Sequence, residues 1–441
     1  MKQNKWSIIK TDTSEKALAS ASSVFTISNG YLALKGNLLE NRSELYSTTI
    51  LAGVFDEADM VAFIRPTKYK RRYLDPEYFD DATPSPSVAN LPDPLYLRVF
   101  IGNQEISFRR AEISNFRQEY DLRSGVYAYQ YECKTSDGKH TLIEMMRFCD
   151  MQNVHRVLMH YSITPINYSG QITIRSGIDG SIRSNLQKDK QFNVIQTSIE
   201  DGLCRMHART KARGIDINLV VCNVTIGIEP ATREHVIEDD SIYEVLNFDV
   251  SQGQALTIEK HMAISSSEDT RHEVESEPAS EVKESVKKGF ASTLATNQDW
   301  WAQVWDRIDV QIEGDDLAQL YLRFCLFHLM SAAPRHTDKL SVPCKLLTGE
   351  HYQGTTFYDT DLYIEPFYLF TFPEIARSCL NYRYLGLENG RKIAKSLGYE
   401  GAKFAWQSGP YGEEALGKWW RFTHTNIHID GDVAYSLMQY W

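Results

Sequence analysis

The sequence predicts a multidomain chain: an N-terminal antiparallel β-sandwich, a helical linker, and then a helical domain. Three observations carry this reading. Up to about Ser267, short alternating or β-branched runs follow one another, broken by Gly, Asp, Asn and Pro, with no helical period between them. Glu268–Gly289 is charged, Ser-rich and helical in spacing. From Phe290 onward apolar and aromatic residues recur at helical spacing between long loops. At 441 residues the chain exceeds one ordinary domain.

The elements follow in order. "SNGYLALKGN" (Ser28–Asn37) holds two glycines without a G-x-G-x-x-G or a phosphate loop, so it reads as a strand with turns. Val126–Thr135, the runs from Thr141, His155 and Gly170, and a last one from Leu256 are the clearest strands. These give a sandwich over 1–267, a linker over 268–312 and a helical domain over 313–441. In the linker Trp301 and Trp305 stand at i,i+4. "EGD" at Glu313–Asp315 caps "DLAQLYLRFCLFHLM", which is apolar on nearly every face and is expected inside a helical assembly. Val433, Leu437 and Trp441 mark a helix still running at the last residue, which is expected of a chain cut inside a domain.

Composition narrows the function. With 42% hydrophobic and 24% charged residues, the chain reads as soluble and globular. Its 47 basic against 58 acidic residues give a net charge of −11, which argues against nucleic acid or an anionic membrane as partner. The densest basic run, "KYKRRY" at Lys68–Tyr73, reads as a solvated loop. The N-terminal stretch lacks an apolar signal-peptide core, so a cytoplasmic location is expected. Seven cysteines are scattered without C-x-x-C or a paired histidine, which reads as reduced thiols and no metal.

Two loops hold the chemistry. "TTFYDTDLYIEPFYLF", from Thr355, sets Asp359 and Asp361 two residues apart among aromatic rings. At that spacing they cannot form a catalytic carboxylate pair by themselves. They are open to being caps, buried anchors, metal ligands or one wall of a sugar pocket. "GYEGAKFAWQSGPYGEE" (Gly398–Glu414) carries four glycines, Trp406–Gln407 and Glu413–Glu414. Rings stack on the apolar face of a pyranose while carboxylates and amides hold its hydroxyls, and such loops are where sugar sites are built. His424 and His428 lie four apart but lack the glutamate of H-E-x-x-H, so a cleft-wall hydrogen bond is the expected role of a histidine here. Seven of the eight tryptophans fall at Trp300 or later, which favours a carbohydrate cleft.

These loops resemble glycoside hydrolase family 65. "APRHTDKLSVPCKLLTGEHYQGTTFYDTD" is similar to the family's A-P-R-H…P-A-K-G-L-[ST]-G-E-x-Y-x-G…F-W-D-T-E, "LGYEGAKFAWQSGPYGEE" to its L-G-Y-x-G-A-x-x-P-W-E-S…G-E-E, and "HIDGDVAYSLMQYW" to its H-I-T-A-D-I-A-Y-A-x-x-Q-Y-W. The resemblance implies an (α/α)6 barrel as the catalytic domain, present here only in its first part. It also implies an inverting phosphorylase of α-glucosides such as maltose, trehalose, kojibiose or nigerose. Such an enzyme releases β-glucose 1-phosphate with inorganic phosphate as co-substrate, without metal or organic cofactor, and is commonly a homodimer. Other members are hydrolases.

Residue by residue, the resemblance gives Asp359 and Trp406 to the glucosyl subsite. Tyr358 replaces the tryptophan, and Gln407 the glutamate, of the family motifs, a change that keeps an acceptor but drops a charge. His351 joins Tyr358 as a rim residue, and Asp361 is expected to be structural. The family's general acid lies in a G-P-D-E-Y motif that does not occur in this sequence, so it is expected beyond Trp441, leaving these residues inactive alone. A non-catalytic saccharide-binding role is the rival from another class.

Overall fold

The computed structural model describes residues 4–41, 47–58, 84–416 and 420–441. Lys68–Tyr73 lies outside the described residues. Two antiparallel sheets dominate the first part. Nine strands run in the order Ser7–Lys10, Glu112–Asp121, Val126–Lys134, His140–Cys149, Arg156–Pro165, Leu256–Ser266, Asp216–Ile226, Leu203–Thr210, Phe192–Glu200. Five form the second sheet, in the order Thr232–Glu238, Ser241–Val250, Gly170–Asp179, Leu97–Ile101, Gln104–Glu105. Inward residues such as Tyr127, Tyr129 and Tyr131 alternate with outward ones, as half-buried strands require.

The linker folds as helices Glu268–His272, Pro278–Lys288 and Phe290–Ile308. Ala279 and Val282 of the second pack on Leu203, Val220 and Ala263 of the large sheet. In the third, Trp301 stacks on Phe327 with centroids 4.5 Å apart, and the Trp305 indole donates to the Leu122 carbonyl at 3.0 Å. Sandwich, linker and helical part therefore share one apolar core.

The Ser28–Asn37 stretch is the joint between the two halves. Strands Ile27–Ser28 and Leu32–Leu34 flank a turn in which Gly30 has φ +89°, and a Cβ there would sit 1.9 Å from the Ala333 carbonyl oxygen. Only glycine allows that approach. The Arg335 guanidinium closes the joint by donating to the Asn29 and Met151 carbonyls at 3.1 and 3.3 Å.

Asp315 caps helix Asp316–Ala332 by accepting from the Leu317 and Ala318 amides at 3.0 and 2.9 Å. That helix is not enclosed on every face: Leu317, Tyr321 and Cys325 are solvent-exposed, while Leu320, Phe327 and Met330 reach the core. Helices Glu365–Thr371, Pro373–Leu385, Leu387–Ser396, Phe422–Thr425 and His428–Tyr440 follow. In the last, Val433 is buried, whereas Leu437 and Trp441 face solvent.

Candidate functional site

Both sequence loops meet at one place because a small set of polar anchors forces them together. Glu350, at the head of the first loop, is buried and accepts from Ser184 Oγ at 2.5 Å and the Asn185 amide at 2.8 Å, which ties the loop to the sandwich. Two residues farther on, Tyr352 and Gln353 adopt left-handed φ of 53° and 56°. Such backbone is rare for non-glycine residues and turns the chain sharply. Thr356 and Ser408 then exchange backbone hydrogen bonds at 3.0 and 2.9 Å, joining the first loop to the second.

Arg383, 3% exposed, is the hub behind this joint. Its guanidinium grips both oxygens of Asp361 (3.1 and 2.5 Å) and donates to Ser408 Oγ at 2.8 Å and the Phe357 carbonyl at 3.1 Å. Asp361 is thus a buried anchor, and neither a helix cap nor a ligand-facing group. It sits inside the π-helical turn Thr360–Ile364, where its side chain is aimed at helix Pro373–Leu385.

Glu414 organises the second loop. Its carboxylate accepts from the backbone amides of Trp406 (2.6 Å), Gln407 (3.0 Å) and Leu416 (3.3 Å). Burial pushes its pKa up to about 7 against those hydrogen bonds. Next to it, Glu413 meets Arg213 of the sandwich at 3.0 Å, and Arg213 also holds Glu57 at 2.8 Å. Tyr411 lies under the Arg271 guanidinium at 4.3 Å and donates to Glu268 at 3.0 Å. Sandwich and linker both grip the loop that presents Trp406.

What these anchors hold out is an aromatic patch. Trp406, half-buried, is tilted against Tyr358 (5.7 Å, 36°) and Phe422 (5.6 Å, 35°), with Phe357 edge-on at 5.7 Å. His428 stands edge-on to Tyr358 at 4.8 Å, and its Nδ1 is 2.7 Å from the Asp432 carboxylate. Beside Tyr358, half-buried Asp359 has no hydrogen-bonded side-chain partner among the described residues. Burial first, then the Asp359 charge, raises the Tyr358 phenol above its ordinary pKa. Gln407 is buried, with its side-chain oxygen accepting from Thr355 Oγ1 at 3.4 Å.

Four of the five expected site residues therefore lie in this assembly. His351 heads the 3₁₀ turn His351–Gly354 and is solvent-exposed, and it is its neighbour Tyr352 that meets Phe357, at 5.4 Å. His424 and His428 lie on separate helices, Phe422–Thr425 and His428–Tyr440. His428 and Asp432 were not paired with each other by composition or spacing, Arg383 was not singled out, and Glu414 was named only as one of two adjacent acids in its loop. The H…D spacing in "HIDGD" carries the signal for the first two.

Residues 8–304 match the model of the glycosyl hydrolase family 65 N-terminal domain, and residues 323–441 that of the family 65 central catalytic domain. The chain belongs to glycosyl hydrolase family 65. It is 25% identical to a kojibiose phosphorylase of Halothermothrix orenii over 99% of this chain and 56% of the relative. A nigerose phosphorylase of Lachnoclostridium phytofermentans is 26% identical over 99% of this chain and 58% of its own length. For an α,α-trehalose phosphorylase of Thermoanaerobacter brockii the identity is 24%, over 99% and 56%. A solved structure assigned as a kojibiose phosphorylase from the human microbiome shares the fold with a TM-score of 0.85 at 20% identity, over 99% of this chain and 56% of that one. The chain thus spans a little over half the length of these relatives. No helix among the described residues is long and apolar enough to cross a membrane.

Proposed function

We propose that the chain is the sugar-binding part of an α-glucoside phosphorylase of family 65. The observation that carries this reading is Asp359, a half-buried carboxylate with no side-chain partner among the described residues, next to Tyr358, whose ring is tilted against Trp406 at 5.7 Å. A carboxylate accepts from two adjacent sugar hydroxyls while the rings cover the apolar pyranose face, so the pair fits a glucosyl unit. Gln407 adds an amide donor, and the His428–Asp432 pair a second polar wall.

Inverting phosphorolysis of an α-glucoside needs a carboxylic acid to protonate the leaving oxygen and phosphate to attack C1 from the opposite face, giving β-glucose 1-phosphate. Asp359 is placed here as a binding group. The proton donor and the phosphate pocket are assigned to a G-P-D-E-Y segment and its surroundings, which these 441 residues do not contain. The barrel of which residues 313–441 form the first part is complete in this reading only with that segment. Phosphate is the co-substrate, no organic cofactor or metal takes part, and a cytoplasmic homodimer is the expected form.

The test is to incubate the native gene product with kojibiose, nigerose, trehalose and maltose, with and without phosphate, and in parallel to titrate the 441-residue chain with the same sugars. Phosphate-dependent release of β-glucose 1-phosphate is expected from the gene product, and binding without turnover from the 441-residue chain. Equal turnover without phosphate makes the protein a hydrolase of the same family. Neither turnover nor binding overturns the reading.

A further inference from the structure

A second cleft, of about 760 Å³, opens between the linker and the helical part. It lies at the far end of the segment that begins with Asp359. Phe372, which lines it, follows the helical run Thr360–Thr371, and a helix of that length spans roughly 18 Å. It is therefore separate from the Tyr358–Trp406 patch. Its volume is in the range of pockets that enclose drug-sized ligands, hence a short oligosaccharide.

The lining is built as guanidinium–ring stacks. Arg335 lies over Trp300 at 4.3 Å and Arg307 over Phe372 at 4.3 Å, so both planar forks are fixed by rings as well as by their own stems. Arg335 keeps one buried guanidinium nitrogen, Nε, without a hydrogen-bond partner. Behind them stand two imidazoles. His272 is 2% exposed, lines the cleft, and has neither ring nitrogen hydrogen-bonded, and both ring nitrogens of His336 are likewise unpartnered. Buried polar groups left unpaired in this way are costly, and Arg335, His272 and His336 are all among the residues that line this cleft.

The donor and acceptor balance identifies the ligand class. Arg307, Arg335 and Arg377 alone would suit an anion, but Glu374 and Asp338 line the same cleft and would repel one. Burial holds both imidazoles uncharged, so each offers one donor and one acceptor. Gln303 and Thr337 again offer both. Mixed donors and acceptors around fixed planar groups match vicinal hydroxyls, not a phosphate. We propose that this cleft is a second carbohydrate site that takes a neutral oligosaccharide, placed behind the barrel segment and independent of Asp359.

The test titrates the chain calorimetrically with maltotetraose, and separately with inorganic phosphate. Gln303 and Arg377 are solvent-facing, so a Gln303→Ala/Arg377→Ala variant keeps the fold, which far-UV circular dichroism checks. The wild-type chain is expected to show two saccharide sites, the double variant to weaken one of them at least tenfold, and Asp359→Asn to leave that one intact. Quenching of tryptophan emission by maltotetraose in Asp359→Asn, lost on adding Trp300→Phe, is the second readout. A single saccharide site that Asp359→Asn removes would overturn the proposal. So would a double variant that binds like wild type, or a cleft that takes phosphate and leaves maltotetraose unbound. Failure of the glucosyl site alone would show as loss of the other site, with the cleft unchanged.

Discussion

Two regions of the molecule enclose carboxylates among aromatic rings and use them in opposite ways. In the sandwich core Glu40 is 5% exposed, and its oxygens accept from Tyr129 at 2.9 Å and from Tyr161. In the loops from Thr355 to Glu414, Asp361 and Glu414 are as fully engaged, by Arg383 and by three backbone amides. Asp359, two residues from Asp361, is not engaged at all by side chains among the described residues. A carboxylate whose lone pairs are filled by the protein holds the fold together. One left open beside ring faces is kept for something that is not protein.

The hardest way to break this contrast is at the hub. Arg383→Met leaves the Asp361 charge buried without its partner and should cost roughly 3–5 kcal/mol, read as a large fall in the denaturation midpoint. A midpoint like that of wild type would remove Asp361 from the class of anchors.

Next in size is a pH effect. Glu365 is 2% exposed, accepts from Ser436, and burial raises its pKa from 4.5 to about 7. Between those values the folded chain keeps a proton that the unfolded chain has released. Stability from this group is therefore full below about pH 4.5 and is lost as pH rises towards 7. The whole shift corresponds to roughly 3 kcal/mol. Glu414, also raised to about 7, acts in the same direction. His272, held down at about 4 by burial, opposes it below the ordinary histidine value of 6.5. The difference between wild type and Glu365→Gln isolates the one group: the variant should gain on wild type between pH 5 and pH 7.5 in urea unfolding. Parallel curves would remove Glu365 as the source.

Glu414→Ala comes third. It leaves the Trp406, Gln407 and Leu416 amides without their acceptor and should cost about 2 kcal/mol, with faster hydrogen exchange confined to those amides. Exchange spread evenly over the chain would show that Glu414 holds the domain and not the loop.

Much of the sandwich was legible in the sequence because its period is two. Val126–Lys134 and Gly170–Asp179 fall where the alternating runs stand. The site was legible only in part. Asp359, Trp406 and Tyr358 stand in unusual loops whose composition points to sugars, but which acid is free and which is buried depends on Arg383, whose position no local spacing reveals. The same holds for Arg213, which stands 200 residues before the Glu413 it grips. The exposed face of Asp316–Ala332 escaped for the opposite reason, since periodicity counts apolar residues and says nothing of what covers them.

Arg213→Ala tests that long-range grip. Its ion pairs with Glu57 and Glu413 are partly solvent-accessible, so the loss should be about 1 kcal/mol, seen as faster exchange at residues 409–414 with the sandwich unaffected. No local change would leave the sandwich as a neighbour of the site and not its support.

The smallest effect on stability should come from the residue with the largest effect on function. Asp359→Asn keeps shape and volume and removes no protein hydrogen bond from the side chain, so its unfolding free energy should stay within about 0.5 kcal/mol of wild type. Binding of a glucoside at the patch should weaken at least tenfold, because hydrogen bonds from sugar hydroxyls to a charged acceptor contribute roughly 1.5–3 kcal/mol. Unfolding and calorimetric titration of the same preparation read the two together. A stability loss above about 2 kcal/mol with unchanged binding would put Asp359 beside Asp361 as an anchor. Unchanged stability with lost binding would mean that the fold has spent its other loop carboxylates on structure and kept this one for the sugar.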